Sequence, residues 1–359
     1  MTITGGDGGA GGNATGAFTG GAGEAGGNAL VTIAGDITAS GGIILNDGED
    51  PTGATAVAGG TAGQAGTAGT ATITFDGLTV QTITATITAA DDGEGTIILT
   101  ADNSATADIV TITGQVGTSA KKIGTITSGV GTAQTSSKFN SEVFADIITH
   151  GVDANWTGTA AITMDFDESV TFTTLTVTGG STAGDEDAFV TAAKNLTGTT
   201  INLNRGTNAG AVATLTLDGS TPQAVTAEIK GGTDGSGSTV NVMAGTNLVT
   251  FSGLVGDAAN SINLLNIGDG TAGGTAKFTS TLDVTTITVD GETAASSADF
   301  DGNVVGALTI QTGGTSGDLA SAMGLGRRPS RVWGERFSMP ARGPCCFPTG
   351  LWRRRAPSC

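Results

Sequence analysis

The sequence predicts an all-β protein folded as a parallel β-solenoid, on the basis of its composition, its short β-branched runs and an internal duplication. Glycine fills 61 of the 359 positions, tyrosine is absent and histidine occurs once. Thr, Ala, Gly, Val and Ile dominate, whereas Lys, Arg, Leu and the aromatic residues are scarce, so long helices have little to be built from. A long, thin core of small side chains suits a solenoid better than a globule.

Short β-branched runs recur from Thr72 onward, and each is closed by Gly, Asp or Asn. Examples are TITF, DIVTITG and VTFTTLTVTG. Each is a strand followed by a turn. Within the last run apolar residues alternate with threonine, and this period of two predicts that Leu175 and Val177 point inward while the threonines face water.

The internal duplication sets the size of the repeat. Residues 71–93 align without gaps to residues 213–235 with 12 identities in 23 positions, at an offset of 142. Residues 109–141 match 248–280 with 14 identities in 33, at an offset of 139. Two blocks in the same order at nearly the same offset indicate a repeat of about 140 residues.

Tandem immunoglobulin-like β-sandwiches are the alternative fold, although a sandwich core usually contains Trp or Tyr and larger apolar residues.

The pattern of repeats and composition divides the chain into five segments. These are a Gly-rich N-terminal segment (1–28), a partial repeat with a Gly/Ala/Thr-rich linker (29–70), a first β-repeat unit (71–212), an incomplete second unit (213–322) and a basic Pro/Arg/Cys tail (323–359).

The tail differs from the rest of the chain in charge and composition. It holds eight of the nine arginines and all three cysteines. We expect it to be either disordered or the product of a shifted reading frame, so the predicted fold does not include it. The chain starts late in one copy of the repeat, without a signal peptide, and ends late in another. We therefore expect it to be an interior slice of a longer array.

Acidic groups dominate the body of the chain (residues 1–322), which holds 32 of the 33 carboxylates and 7 of the 15 basic groups. A net charge of minus 25 in this body repels nucleic acid and anionic headgroups and attracts divalent cations. No apolar stretch approaches the length needed to span a membrane. The composition therefore excludes nucleic acid as a partner of the body.

Two features could suggest catalysis, and both have a simpler interpretation. His150 aligns with Asp290 of the second copy, which predicts a polar turn residue instead of a general base. Asp165 and Asp167 share one face of a strand, as paired carboxylates do in β-helical polysaccharide-cleaving enzymes. The body offers few basic residues to stabilise charge there, so the pair is better interpreted as a solvated strand end, and the sequence predicts a non-enzyme. A polar groove with a basic residue beside this pair would favour the enzyme.

Acidic turns are the more plausible ligand sites, because calcium binds oxygen clusters on irregular backbone. The candidates for weak calcium binding are Asp92, Asp234, Asp299 and Asp301. Asp92-Gly93 has its partner in the duplicate at Asp234-Gly235. None of these sites completes a twelve-residue calcium loop, since Val304 stands where the loop after Asp299 needs glycine.

Stretches such as FTSTLDVTTITVDG and NVVGALTIQTGG give residues 29–320 the style of a known group of proteins. The chain resembles the cysteine-free β-strand-repeat proteins of Gram-negative bacteria, which include surface-layer proteins and large secreted or autotransported adhesins. The resemblance implies a secreted, often calcium-stabilised solenoid at the cell surface or outside the cell. The expected function is structural, as a surface-layer or stalk component that self-associates. The alternatives are an adhesin that binds carbohydrate or protein and a β-helical polysaccharide lyase or hydrolase.

Overall fold

The computed structural model describes residues 1–10, 22–49, 67–77, 80–100, 108–129, 135–151, 161–180, 187–206, 210–232, 237–291 and 294–311. Predictions that fall on other positions lie outside these ranges. They include the basic tail, the linker at 50–66 and the calcium candidate Asp234.

Every regular element in the described part of the chain is a β-strand, as the composition predicts. The first nine strands are β1 (Thr2–Thr4), β2 (Ala29–Ile33), β3 (Ile37–Thr38), β4 (Ile43–Asn46), β5 (Ala71–Phe75), β6 (Gln81–Thr84), β7 (Ile87–Ala89), β8 (Glu94–Leu99) and β9 (Asp108–Ile112). The next nine are β10 (Ile123–Ser128), β11 (Thr135–Phe139), β12 (Val143–Gly151), β13 (Ile162–Phe166), β14 (Val170–Thr178), β15 (Ala188–Ala192), β16 (Leu196–Thr197), β17 (Thr200–Asn204) and β18 (Ala213–Leu217). The last nine are β19 (Gln223–Val225), β20 (Glu228–Gly231), β21 (Ser238–Val242), β22 (Leu248–Phe251), β23 (Ile262–Ile267), β24 (Thr275–Phe278), β25 (Leu282–Asp290), β26 (Ser297–Phe300) and β27 (Val304–Gln311).

Parallel pairing joins these strands into sheets of 3, 13 and 11 strands, so the chain is a β-solenoid. The antiparallel contact among the described residues is an isolated bridge between Thr118 and Lys121 within a turn. Immunoglobulin-like sandwiches are built from antiparallel sheets. The sandwich alternative is therefore wrong, and the predicted solenoid is confirmed.

One turn of the solenoid contributes three strand positions. Strand β13 pairs with β15, the start of β14 pairs with β16, and the rest of β14 pairs with β17. Thus Val170 lies beside Leu196 and Thr174 beside Thr200. Strands β12 and β14 run through two of the three positions without a break, which is why these two positions belong to the same 13-stranded sheet.

Equivalent strands of the two copies occupy different strand positions within a turn of the solenoid. Strand β5 lies in the 13-stranded sheet, whereas its counterpart in the second copy, β18, lies in the 11-stranded sheet. Strands β6 and β19 change sheets in the opposite sense. From β5 the ladder passes through β8, β10, β12, β14 and β17, and the next strand along the chain is β18. The repeat therefore spans five turns plus one strand position.

The core is a single column of apolar side chains that alternate with outward-facing residues. Leu175 and Val177 are fully buried and the intervening threonines are half-buried, as the period of two predicts. Phenylalanines stack along the core, with Phe139 above Phe166 at a centroid distance of 5.2 Å. In the second copy Phe251, Phe278 and Phe300 form a longer stack, with distances of 4.6 and 5.3 Å.

Strands begin earlier than the sequence predicts, since β1 lies within the segment assigned as a Gly-rich N-terminus. Its Ile3 is buried and pairs with Leu45 of β4. Four glycines, at positions 6, 27, 48 and 69, meet next to this pair. The Gly6 amide donates to the Gly27 carbonyl, and the Gly69 amide donates to the Gly6 carbonyl. Backbones approach so closely here that only glycine fits at some of these positions, which explains this part of the composition.

Two buried glutamines tie successive turns together at equivalent corners. The Gln81 side-chain amide donates to the carbonyls of Ile33 and Gly35, at 2.9 and 2.7 Å. In the second copy the Gln223 amide donates to the carbonyls of Ala192 and Lys194, at 2.8 and 3.0 Å. Beside them, Asp36 and Asn195 accept the amide protons of Thr82 and Ala224 respectively.

Within the described residues there is no helix of the length and apolarity needed to cross a membrane.

Candidate functional site

The carboxylate pair predicted from the sequence meets a lysine from the previous turn. Lys138 of β11 pairs in register with Asp165 of β13, so its side chain points outward over both carboxylates. Its ammonium lies 2.6 Å from Asp165 and 2.7 Å from Asp167. One cation therefore bridges the two anions.

The same lysine borders a shallow recess of about 210 Å³. The recess is lined by Ile109, Ser136, Ser137, Lys138, Thr163 and Asp165. A polar groove with a basic residue beside this carboxylate pair would favour a polysaccharide-cleaving enzyme, and the recess has the basic residue but a mostly apolar surface. The lysine is already engaged by two carboxylates, however, and stacking aromatic rings are not among the lining residues.

An equivalent cluster stands in the second copy. Lys277 of β24 pairs in register with Asp299 of β26, and its ammonium lies 2.7 Å from Asp299 and 2.8 Å from Asp301. Each lysine precedes a stacked phenylalanine, and each carboxylate pair flanks the next ring of the stack. An ion pair outside and a ring stack inside thus form one two-sided unit that occurs once in each copy.

Electrostatics within both clusters favour charged lysines. Hydrogen bonds to Asp299 and Asp301 raise the pKa of Lys277 to about 12. Desolvation lowers the pKa of Lys138, but hydrogen bonds to Asp165 and Asp167 outweigh it, so the pKa is raised overall. Asp218, in the turn after β18, is affected by the same cluster: partial desolvation raises the pKa of its carboxyl and the charge on Asp165 adds to the rise.

Sequence alignment alone missed this unit. Both copies contain Asp-Phe-Asp, at 165–167 and 299–301, but these triplets have an offset of 134, whereas the two lysines have an offset of 139. A gapless alignment at 139 therefore pairs Lys138 with Lys277 and leaves the acidic partners unmatched. The signal that could have found them is the repeated Asp-Phe-Asp triplet read with a five-residue deletion.

Comparison with known proteins gives no family. No protein-family model, curated protein or solved structure matches the chain.

The described calcium candidates lie at two separate places, one with Asp299 and Asp301 and the other with Asp92. Asp299 and Asp301 face the Lys277 ammonium, so a lysine already fills the position that a cation would take between them. Asp92 lies in an exposed turn and accepts the Lys122 amide proton at 2.9 Å. Asp234 lies outside the described residues. The described ranges contain no group of three or more His, Cys, Asp or Glu side chains that could hold a metal ion.

His150 is fully buried near the end of β12, which corrects the prediction of a polar turn residue. It lies in register between Ser128 and Val177 of the neighbouring turns. Neither ring nitrogen has a hydrogen-bond partner in the described part of the chain. Burial lowers the pKa of His150 to about 4, although a backbone group of Ile162 partly opposes the shift. The inward direction follows from the period of two, because Ile148 is also buried.

Proposed function

We propose that this protein is a structural component of the bacterial cell surface or extracellular space, such as part of a surface layer or stalk. The observation that supports this best is the unbroken parallel ladder, in which 11 strands of one sheet stack in sequence order. Each turn contacts its neighbours along the axis, so the fold grows in length without creating a central cleft. Such a molecule acts through its extent and its surface.

The polar clusters support the same proposal. Lys138 and Lys277 each join two carboxylates of the next turn, next to stacked phenylalanines of the core. A catalytic group would be expected at one special place, whereas a structural tie between turns is useful in every copy. Recurrence of the unit in both copies therefore favours a role in holding turns together.

Weak calcium association is part of this proposal. The net charge of minus 25 on the body attracts divalent cations to exposed acidic turns such as that of Asp92. Binding of this kind would reduce repulsion between neighbouring molecules. It would not require a closed coordination shell.

Self-association with and without calcium tests the structural role. Purified protein is analysed by sedimentation velocity and by negative-stain electron microscopy, with calcium or with a chelator. Ordered assemblies or a calcium-dependent increase in mass are expected. A chain that stays monomeric with calcium while it binds cell-surface glycans would be an adhesin instead.

A polysaccharide-cleaving enzyme is the second candidate, and the recess beside Lys138 and Asp165 is the observation that favours it. Its test is incubation with a panel of acidic and neutral polysaccharides, followed by measurement of new reducing ends and of unsaturated products. Cleavage that the Asp165→Asn substitution abolishes and the Asp299→Asn substitution leaves intact would establish the enzyme. No cleavage, or cleavage that survives Asp165→Asn, would show that the recess is not a catalytic site.

A further inference from the structure

One face of the 13-stranded sheet presents two straight rows of outward side chains across six consecutive turns. In-register pairing places the members of each row directly beside one another. The first row consists of Thr72, Thr96, Thr125, Ile147, Thr174 and Thr200.

The second row lies two residues further along each strand. It consists of Thr74, Ile98, Thr127, Thr149, Thr176 and Asn202. We call the two rows together the threonine array. Nine of its twelve positions are threonine and none is charged, although the body of the chain carries a net charge of minus 25. Charge reappears on the following turn, where Glu228 and Lys230 continue the rows.

The threonine array is periodic in two directions. Neighbouring strands are about 4.8 Å apart, and residues i and i+2 of a strand are about 6.6 Å apart. Its hydroxyls are also available to a ligand: among the described residues, the side-chain hydrogen bond within the array joins Asn202 to Thr176 at 3.5 Å. Each of the other threonines therefore offers a hydroxyl and a methyl group at a fixed lattice point.

We propose that the threonine array binds ice. A ligand that engages every point of a two-dimensional lattice must itself be periodic in two dimensions, which a flexible glycan or peptide is not. Hydroxyl groups held at fixed positions hydrogen-bond water, while the methyl groups between them exclude disordered solvent. Absence of charge matters because a charged side chain would hold its own hydration shell. Aromatic residues, which would stack on the sugars of a crystalline polysaccharide, do not occur in the array.

The second copy carries an equivalent uncharged surface in the 11-stranded sheet. One of its rows consists of Thr216, Asn241, Asn266, Thr288 and Thr309. Since the repeat is out of phase by one strand position, this surface belongs to a different sheet from the threonine array. It differs in burial as well, because Thr214 and Thr239 of its other row are buried. The array of the first copy is therefore the site we assign.

The test measures thermal hysteresis and inhibition of ice recrystallisation with the full chain. Thr149→Tyr places a ring in the middle of the array, and Ile147→Lys places a charge at its exposed position. Thr163→Tyr is the matched control, because Thr163 is also an outward, half-buried threonine in the middle of a strand but lies in the 11-stranded sheet. Far-ultraviolet circular dichroism establishes that each variant is folded.

The native chain and Thr163→Tyr are expected to shape ice crystals and to show hysteresis, and both array variants are expected to lose it. Absence of hysteresis in the native chain would overturn the proposal, as would equal activity in all four folded proteins. Sedimentation velocity gives a further outcome. If the native chain forms dimers that Thr149→Tyr abolishes, and shows no hysteresis, the array is an interface between copies and the ice assignment is wrong.

Discussion

The side-chain amides of Gln81 and Gln223 donate equivalent pairs of hydrogen bonds in the two copies, yet the two residues lie in different sheets of the solenoid. Each side-chain amide donates to two carbonyls of the preceding turn, and the two acceptors are separated by one residue in both cases. The local corner is therefore a property of the repeat, whereas the side of the solenoid that it occupies is set by the count of turns. The same corner therefore occurs on two different sides of the solenoid.

Replacing the corner glutamine should destabilise the fold. Gln223→Leu leaves the carbonyls of Ala192 and Lys194 without this donor in a buried corner, and we expect a loss of roughly 3 kcal/mol in the free energy of unfolding. Urea denaturation followed by circular dichroism measures it. Gln115→Leu is the control, because Gln115 is only half-buried and the described residues show no hydrogen bond from its side chain to another turn. Equal stability of both variants would contradict a structural role for the corner.

The glycine cluster near β1 gives a second prediction with an internal control. A Cβ on Gly48 would collide with the Gly6 carbonyl oxygen, whereas a Cβ on Gly27 would meet nothing within 4 Å. Gly48→Ala should therefore destabilise the protein by about 1–3 kcal/mol, as forced overpacking does. Gly27→Ala should be neutral or stabilise it by about 0.5 kcal/mol. Thermal unfolding of the two variants compares them, and a more harmful Gly27→Ala would show that the cluster packs differently.

Acid should weaken the fold through His150. Its folded-state pKa of about 4 lies below the ordinary value of 6.5, so the unfolded chain takes up the proton first as the pH falls. Stability is then lost as the pH falls from about 6.5 toward 4, by up to about 1.4 kcal/mol per pH unit. Urea unfolding at pH 7, 6 and 5 measures this slope, in a range above the titration of most carboxylates.

His150→Leu is the matching variant, since it places a side chain that cannot be protonated between Ser128 and Val177. It should flatten the stability profile between pH 7 and pH 5. An unchanged slope in His150→Leu would assign the acid sensitivity to other groups.

Removing a bridging lysine should create a calcium site where the sequence predicted one. In the native chain Asp299 and Asp301 share the Lys277 ammonium, so calcium has to compete with it. Lys277→Gln exposes two carboxylates that repel each other, and millimolar calcium should raise its melting temperature more than that of the native chain. Lys138→Gln should behave alike at Asp165 and Asp167. If both variants respond to calcium as the native chain does, these carboxylate pairs do not bind the ion even when the lysine is removed.

Local chemistry and fold class could be predicted from the sequence, but the relation between copies could not. Alternation of threonine with Leu175 and Val177 indicates which side faces the core, and the structure confirms it. The length of a turn varies, since Val143 pairs with Val170 at an offset of 27, while Leu282 pairs with Val304 at an offset of 22. An offset of about 140 between copies therefore does not reveal whether it contains a whole number of turns.

Only the carboxylates of the candidate site could be predicted from the sequence, because their lysine partner comes from another turn. Asp165 and Asp167 were recognisable as a pair on one strand face, but Lys138 comes from the preceding turn and meets them only through the register of β11 and β13. His150 was misassigned because its partner in the duplicate is an aspartate. Burial of a residue between two strands depends on its neighbours in the adjacent turns, which a pairwise alignment of the two copies does not include.

The phase shift between the copies is tested most directly by pyrene excimer fluorescence. In a background with Cys345, Cys346 and Cys359 replaced by serine, pyrene labels are placed at Thr191→Cys and Thr216→Cys, which are in-register neighbours of β15 and β18. The fold described above predicts strong excimer emission from this pair, and none from labels at Asn202→Cys and Thr216→Cys, because β17 and β18 belong to different sheets. Excimer emission from the second pair without emission from the first would contradict a repeat of five turns plus one strand position.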